Sequence, residues 1–194
     1  MHDDEILARN ETVLESFEAC EITLTLPDHG TLTAAEAIQR LGYDPALATP
    51  GQPEQLYDLG DLAFYQAGNG VITVDLHDAN AMTRSVISPL GGPGFRHWYV
   101  GTSLSGPATF YWRYDETEGH LEGPEAEEEW TIDLGPMATH SDLITTTLGE
   151  DAEFTLAAAY LSIIERDSGL RFTDTLHGTP DLVLPEAAIN WPGA

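Results

Sequence analysis

Lysine is missing altogether from this 194-residue chain, and seven arginines are its whole basic complement. Against them stand 33 aspartates and glutamates, for a formal net charge of −26. A surface of that sign opposes phosphate, so neither direct nucleic-acid binding nor attachment to an anionic membrane is expected. Cysteine occurs once, at Cys20, which excludes an internal disulfide and a cysteine-rich zinc site. With no basic residue beside it in the sequence, Cys20 reads as a small buried hydrophobe rather than a nucleophile. No run reaches the roughly 18–20 apolar residues of a membrane span. The opening MHDDEILARNE carries acids where a secretory leader carries basic residues, and no apolar stretch follows, so a cytoplasmic chain is expected.

What is present is enough to fold. Hydrophobic residues make up 42% of the chain, too many for a disordered polypeptide, and the length suits one buried core. Ile6, Leu7, Val13, Leu14 and Phe17 fall near one face of a helix over 4–18. Ile22, Leu24 and Leu26 alternate with Thr23 and Thr25, the pattern of a half-buried strand over 20–26. Thr33-Ala-Ala-Glu36 is a capping box, and the short helix it opens ends at Gly42. Asn69-Gly70 marks a hairpin between 62–68 and 71–77. A two-residue loop there sets Ala67 opposite Ile72, Tyr65 opposite Val74 and Ala63 opposite Leu76.

A second hairpin, rich in aromatics, is expected from 96–100 to 108–114, closed by 103–107. Alternation sends Trp98, Phe110, Trp112 and Tyr114 to one of its faces and Tyr99 with Tyr111 to the other. Residues 115–129 read as a polar, acidic connection, and 130–134 as a returning strand. A long helix follows over 150–167, capped by Gly169, and from about 174 the chain reads as an extended tail. With no internal repeat and no linker, the expectation is a single α+β domain over 1–194. About five mainly antiparallel strands carry the long C-terminal helix and shorter N-terminal helices.

Several of these stretches together resemble an uncharacterised bacterial family catalogued as domain of unknown function 6461. They are the early strand and short helix ending in Arg40-Leu41-Gly42, the strand Val71-Ile-Thr-Val-Asp75, and Val86-Ile-Ser-Pro-Leu90 before a glycine pair. Further on come Phe110-Tyr-Trp-Arg-Tyr-Asp115 with Gly119, and the closing helix running into Ser168-Gly-Leu-Arg-Phe-Thr173. Where the family often flanks its central strand with Trp and Glu, this chain has Asn69-Gly-Val71 and Asp75. The resemblance implies a shared α+β fold and supplies no activity.

Motifs that would carry chemistry are scarce. Asp75 and His77 project from one face of a strand end and could begin a metal site, as in a metal-dependent hydrolase, but no third ligand is spaced to complete it. There is no Gly-x-Ser-x-Gly elbow, and Gly91-Gly-Pro-Gly94 lacks the lysine of a phosphate loop. With 33 acids a catalytic carboxylate pair cannot be dismissed by residue type, yet nothing in the sequence marks one. No cofactor is expected.

The densest charge block, Glu116, Glu118, Glu122, Glu125, Glu127, Glu128 and Glu129, reads either as a solvated loop or as a docking surface for a basic protein. Tyr99 and Tyr111, on the neighbouring strands, are the aromatic candidates beside it. The leading expectation is a non-catalytic, partner-binding protein of immunity or defence type. A metal-dependent hydrolase near Asp75 and His77, and a mimic of nucleic acid, are the alternatives. Acidity imposed by a salt-adapted proteome accounts for the same composition without any partner.

Overall fold

The computed structural model describes residues 3–16, 20–52, 61–75, 88–102, 108–122, 134–147 and 154–189. Among them seven strands form a single antiparallel sheet: β1 (Glu21–Pro27), β2 (Leu62–Ala67), β3 (Gly70–Asp75), β4 (Phe95–Gly101), β5 (Thr109–Tyr114), β6 (Thr117–Glu122) and β7 (Leu182–Leu184). Their order across the sheet is β6-β5-β4-β1-β3-β2-β7. Helices α1 (Asp3–Glu15), α2 (Ala34–Arg40), α3 (Ser141–Thr145), α4 (Leu156–Ser168) and α5 (Phe172–Leu176) complete the α+β architecture.

One face of the sheet is apolar and carries most of the helices. Ile22, Leu24, Ile72, Val74, Trp98, Phe110 and Trp112 meet Leu7 and Val13 of α1, Leu143 and Ile144 of α3, and the apolar run of α4. Residues Ala157 to Glu165 are buried without a break, because α4 has β4 and β5 on one side and α1 and α3 on others. Polar ties fix the α1–α4 contact. Asn10 donates to Ser162 Oγ at 3.0 Å, Arg9 pairs with Glu165, and Glu11 accepts from Thr155 at the N-terminus of α4. The opposite face takes α2 over its β2–β7 half, where Ile38 and Leu32 pack on Leu62, Phe64 and Leu184.

Local signals place the helix ends. Thr33 Oγ1 accepts from Glu36 N while Glu36 accepts from Thr33 N, both halves of the capping box. Gly169 ends α4 in a left-handed cap at φ 74°.

Four expectations are corrected. The sheet has seven strands rather than about five. The added strands are β6, inside what reads as an acidic connection, and β7, inside what reads as a tail from about 174, which also holds α5. The helix expected over 150–167 starts at Leu156, and α1 equals it at 13 residues. The first hairpin turns at Gly68-Asn69, not Asn69-Gly70, so Ala67 pairs with Gly70, Tyr65 with Ile72 and Ala63 with Val74. Gly68 supplies the positive φ (59°), which suits a type II′ turn. Gly70 is needed for another reason: a Cβ there would run into the backbone oxygen of Thr25 and the side chain of Leu26 on β1. Finally, β1 is buried along its whole length, its threonines included, because β3 and β4 flank it at the middle of the sheet. Of the strand expected over 130–134, only Leu134 lies within the described residues, in the turn before a 3-10 helix.

Candidate functional site

Cross-strand register sorts the second face of the sheet into rows, since directly paired residues point the same way. One row runs Glu122, Thr109, Gly101, Glu21, Asp75, Leu62, Leu184 from the β6 edge to the β7 edge. The next runs His120, Tyr111, Tyr99, Thr23, Thr73, Phe64, Leu182, and a third runs Glu118, Arg113, His97, Thr25, Val71, Gln66. This face therefore grades from charge at β6, through a polar middle, to the apolar ground under α2.

The polar middle is shut away from water. Glu21, Thr23, Thr25, Thr73, Asp75 and His97 are all buried. The hydroxyls of Thr23 and Thr73 meet at 2.5 Å, and Thr25 Oγ1 lies 2.8 Å from His97 Nδ1. Gly91 closes over His97: a Cβ on it would stand 3.1 Å from the His97 Cβ. Arg40 of α2 holds that cover down, donating to the carbonyls of Pro89, Leu90 and Gly91 and stacking 3.9 Å above the Phe95 ring. Burial, with Arg113 and Arg40 adding repulsion, drives the His97 pKa down to about 3, so its imidazole is neutral.

At the end of this strip two carboxyls stand side by side. Glu21 on β1 and Asp75 on β3 are direct cross-strand partners, 1% and 0% exposed. Burial first, and then the charge of Asp75, raise the Glu21 pKa to about 8, an effect that Tyr99 partly offsets. Tyr99 reaches toward Glu21 across Gly101, where a Cβ would sit 2.5 Å from the phenol oxygen. Cys20, next in the chain, is buried against the helical face, and burial pushes its thiol up to about 11. It is no nucleophile.

The acidic candidates lie at the other end of the gradient. Glu116 is exposed in the β5–β6 turn, where Asp115 takes a positive φ of 51°. Glu118 is exposed on β6 and accepts from Tyr111 Oη at 2.8 Å, while Glu122 ends that strand. Glu125, Glu127, Glu128 and Glu129 lie outside the described residues, as does His77. Tyr111 is 4% exposed and Tyr99 half-buried, so the two tyrosines form no open aromatic patch; Tyr111 acts from beneath, by fixing Glu118. Among the described residues no group of three His, Cys, Asp or Glu could hold a metal ion, and Leu47 is the one large hydrophobic residue that stands exposed.

A groove of about 330 Å³ lies between α2 and the β1–α2 connection, lined by Pro27, His29, Leu32, Glu36, Arg40 and Phe95. Its cation is already engaged by the carbonyls of 89–91, which leaves little to hold an anion.

What the sequence hides is the Glu21–Asp75 pair. The residues are 54 positions apart, and neither carries a local signal beyond being an acid at a strand end. Comparison with family models, curated proteins and solved structures finds no match to this chain.

Proposed function

We propose that this chain is a non-catalytic, acidic binding protein of the cytoplasm that engages a basic protein partner, in an immunity or defence setting. The docking surface is the turn and strand bearing Glu116, Glu118 and Glu122, continued by Glu125, Glu127, Glu128 and Glu129. The observation that carries this reading is the disposition of the cations. Arg9, Arg96 and Arg166 pair with Glu165, Asp167, and Asp3 with Asp142, while Arg40 and Arg113 donate to backbone carbonyls. Five of the seven arginines are thus spent on internal ties, and Glu116 and Glu118 stand exposed with the field of the acids around them. Such a surface accelerates encounter with a cationic partner and makes it salt-sensitive. A single folded domain of the family called domain of unknown function 6461 belongs to the same proposal.

The absence of lysine supplies the test. Zero-length carbodiimide cross-linking joins carboxylates to amines, and within this chain the α-amino group alone could answer. Cross-links formed in a lysate of the native host should therefore join this chain to lysines of its partner and cluster at Glu116, Glu118 and Glu122. Capture should weaken more for Glu116→Gln with Glu118→Gln than for Asp4→Asn with Glu5→Gln, an equal charge change at exposed positions of α1. Equal losses from both pairs, with cross-links scattered over the surface, would leave bulk acidity as the explanation and defeat the reading.

A further inference from the structure

We propose that Trp98, Trp112, Tyr114 and Asp167 form a one-electron relay: when an oxidising radical takes an electron from either buried indole, Tyr114 replaces it and passes its phenolic proton to Asp167. Three rings pack together on the helical face of the sheet. Trp98 meets Tyr114 edge-on with centroids 5.5 Å apart, and Trp112 lies 5.6 Å from the same phenol ring. Both indoles are buried, Trp98 completely. Trp98 Nε1 donates to Tyr114 Oη at 3.0 Å, so a hydrogen bond joins these two rings as well as packing. Tyr114 Oη in turn donates to Asp167 Oδ2 at 2.6 Å, the short length of an O–H bonded to a carboxylate. Arg96 Nη1 stands 3.7 Å from that same oxygen.

Contact with indoles and a waiting proton acceptor coincide at Tyr114. Tyr160 stacks on Phe110 at 4.9 Å, but its oxygen has no hydrogen-bond partner and so no base to take its proton. Tyr111 donates to Glu118, on the opposite face of the sheet from Trp98 and Trp112. Removing an electron from a phenol turns its O–H into a strong acid, so the loss is eased where a carboxylate already accepts that hydrogen. Burial first, and then the bond to Asp167, raises the Tyr114 pKa above the ordinary phenol value, so the proton is there to be given. The step balances. A one-electron oxidant removes an electron from an indole, the phenol returns one to it, the phenolic O–H bond breaks, and the O–H bond of the Asp167 acid forms. Tyr114 is half-buried where the indoles are closed off, so a soluble one-electron reductant meets the radical there and reverses both transfers. The relay spares the core, including Met137, whose sulfur lies 3.2 Å from Trp98 Nε1 and which oxidation would make polar.

Pulse radiolysis of the full chain with the azidyl radical, which takes single electrons from indoles, tests the relay. The absorption of the indole radical should give way to that of a tyrosyl radical, in a phase whose rate does not vary with protein concentration. Tyr114→Phe should abolish that phase. Asp167→Asn, which leaves the rings in place, should slow it by about tenfold or more, the rate equivalent of one lost charge-assisted hydrogen bond. Tyr160→Phe should leave it unchanged. The relay is overturned by the lack of such a phase in the wild type, by a phase that survives Tyr114→Phe, or by one lost in Tyr160→Phe instead. If Tyr114→Phe does not fold, Asp167→Asn decides from its partly exposed position. An unaltered rate there removes Asp167 as the proton acceptor, and the relay with it.

Discussion

His97 and Glu21 share a face of the sheet and pull stability in opposite directions with pH. The His97 pKa, about 3 in the folded chain, lies below its ordinary 6.5, so the unfolded chain binds more protons between those values and stability falls as pH drops through that window. The Glu21 pKa, about 8, lies above its ordinary 4.5; the folded chain binds more protons there, and stability falls as pH rises toward 8. The two slopes oppose each other between 4.5 and 6.5. The expected profile is a plateau in that range with a loss on each side, each limb no steeper than about 1.4 kcal/mol per pH unit. Urea unfolding from pH 3 to 9 measures it. Glu21→Gln should erase the alkaline limb and keep the acid one; an alkaline limb that persists in the variant would assign it to another group. None of this could be read from the sequence. Thr23, Thr25, Asp75 and His97 look like the wet side of half-buried strands, and local alternation cannot reveal that a second layer covers that side.

Elements differ in how much of their placement is local. The N-terminus of α4 depends on two side chains far apart in sequence: Thr155 Oγ1 accepts from Ala158 N at 3.2 Å, and Glu11 of α1 accepts from Thr155 N and Oγ1 at 2.9 Å. Thr155→Ala and Glu11→Ala should each cost about 1 kcal/mol. The double variant should cost less than the sum, since both remove the same contact; full additivity in chemical denaturation would refute the shared cap. At the first hairpin, Gly70→Ala should destabilise by about 1–3 kcal/mol through overpacking against β1. Gly68→Ala should cost about 1–2 kcal/mol, chiefly through its positive φ, with the added Cβ also standing 3.2 Å from the Leu170 side chain. If Gly70→Ala proved silent in the same assay, the close approach to Thr25 would be wrong. The capping box of α2 and the glycine cap of α4 are legible because each is a motif within a few residues. The strands β6 and β7 are not. Thr-Glu-Gly-His-Leu-Glu carries few strand-forming residues and is held by its register on β5, and Leu182–Leu184 is fixed by pairing with β2 and by a bridge from Thr49.

For the molecule as a whole, a net charge of −26 means that folding compresses mutually repelling carboxylates. Raising salt from about 0.1 to about 1 M shortens the screening length from roughly 10 to 3 Å and relieves that repulsion. The melting temperature in potassium chloride should therefore climb over this range. A flat or falling trend would mean that the surface carries compensating order, and would weaken the salt-adapted account of the composition. The acidity itself was plain in the sequence; that five of the seven arginines are turned to internal ties was not, because ion pairs such as Arg9 with Glu165 join residues 156 positions apart.

The sheet order also sets a timetable. As the chain emerges during synthesis, β1 appears among the first elements, yet its two neighbours are β3 and β4, and the outer partner of β2 arrives only with Leu182–Leu184. Leu62 must wait for Leu184, so β2 spends most of translation with a bare edge, even though α2, made earlier, is already at hand to cover its leucine and phenylalanine. Pairings of such long range slow folding and expose nascent strands to wrong neighbours. The heart of the structure is made early and sealed late.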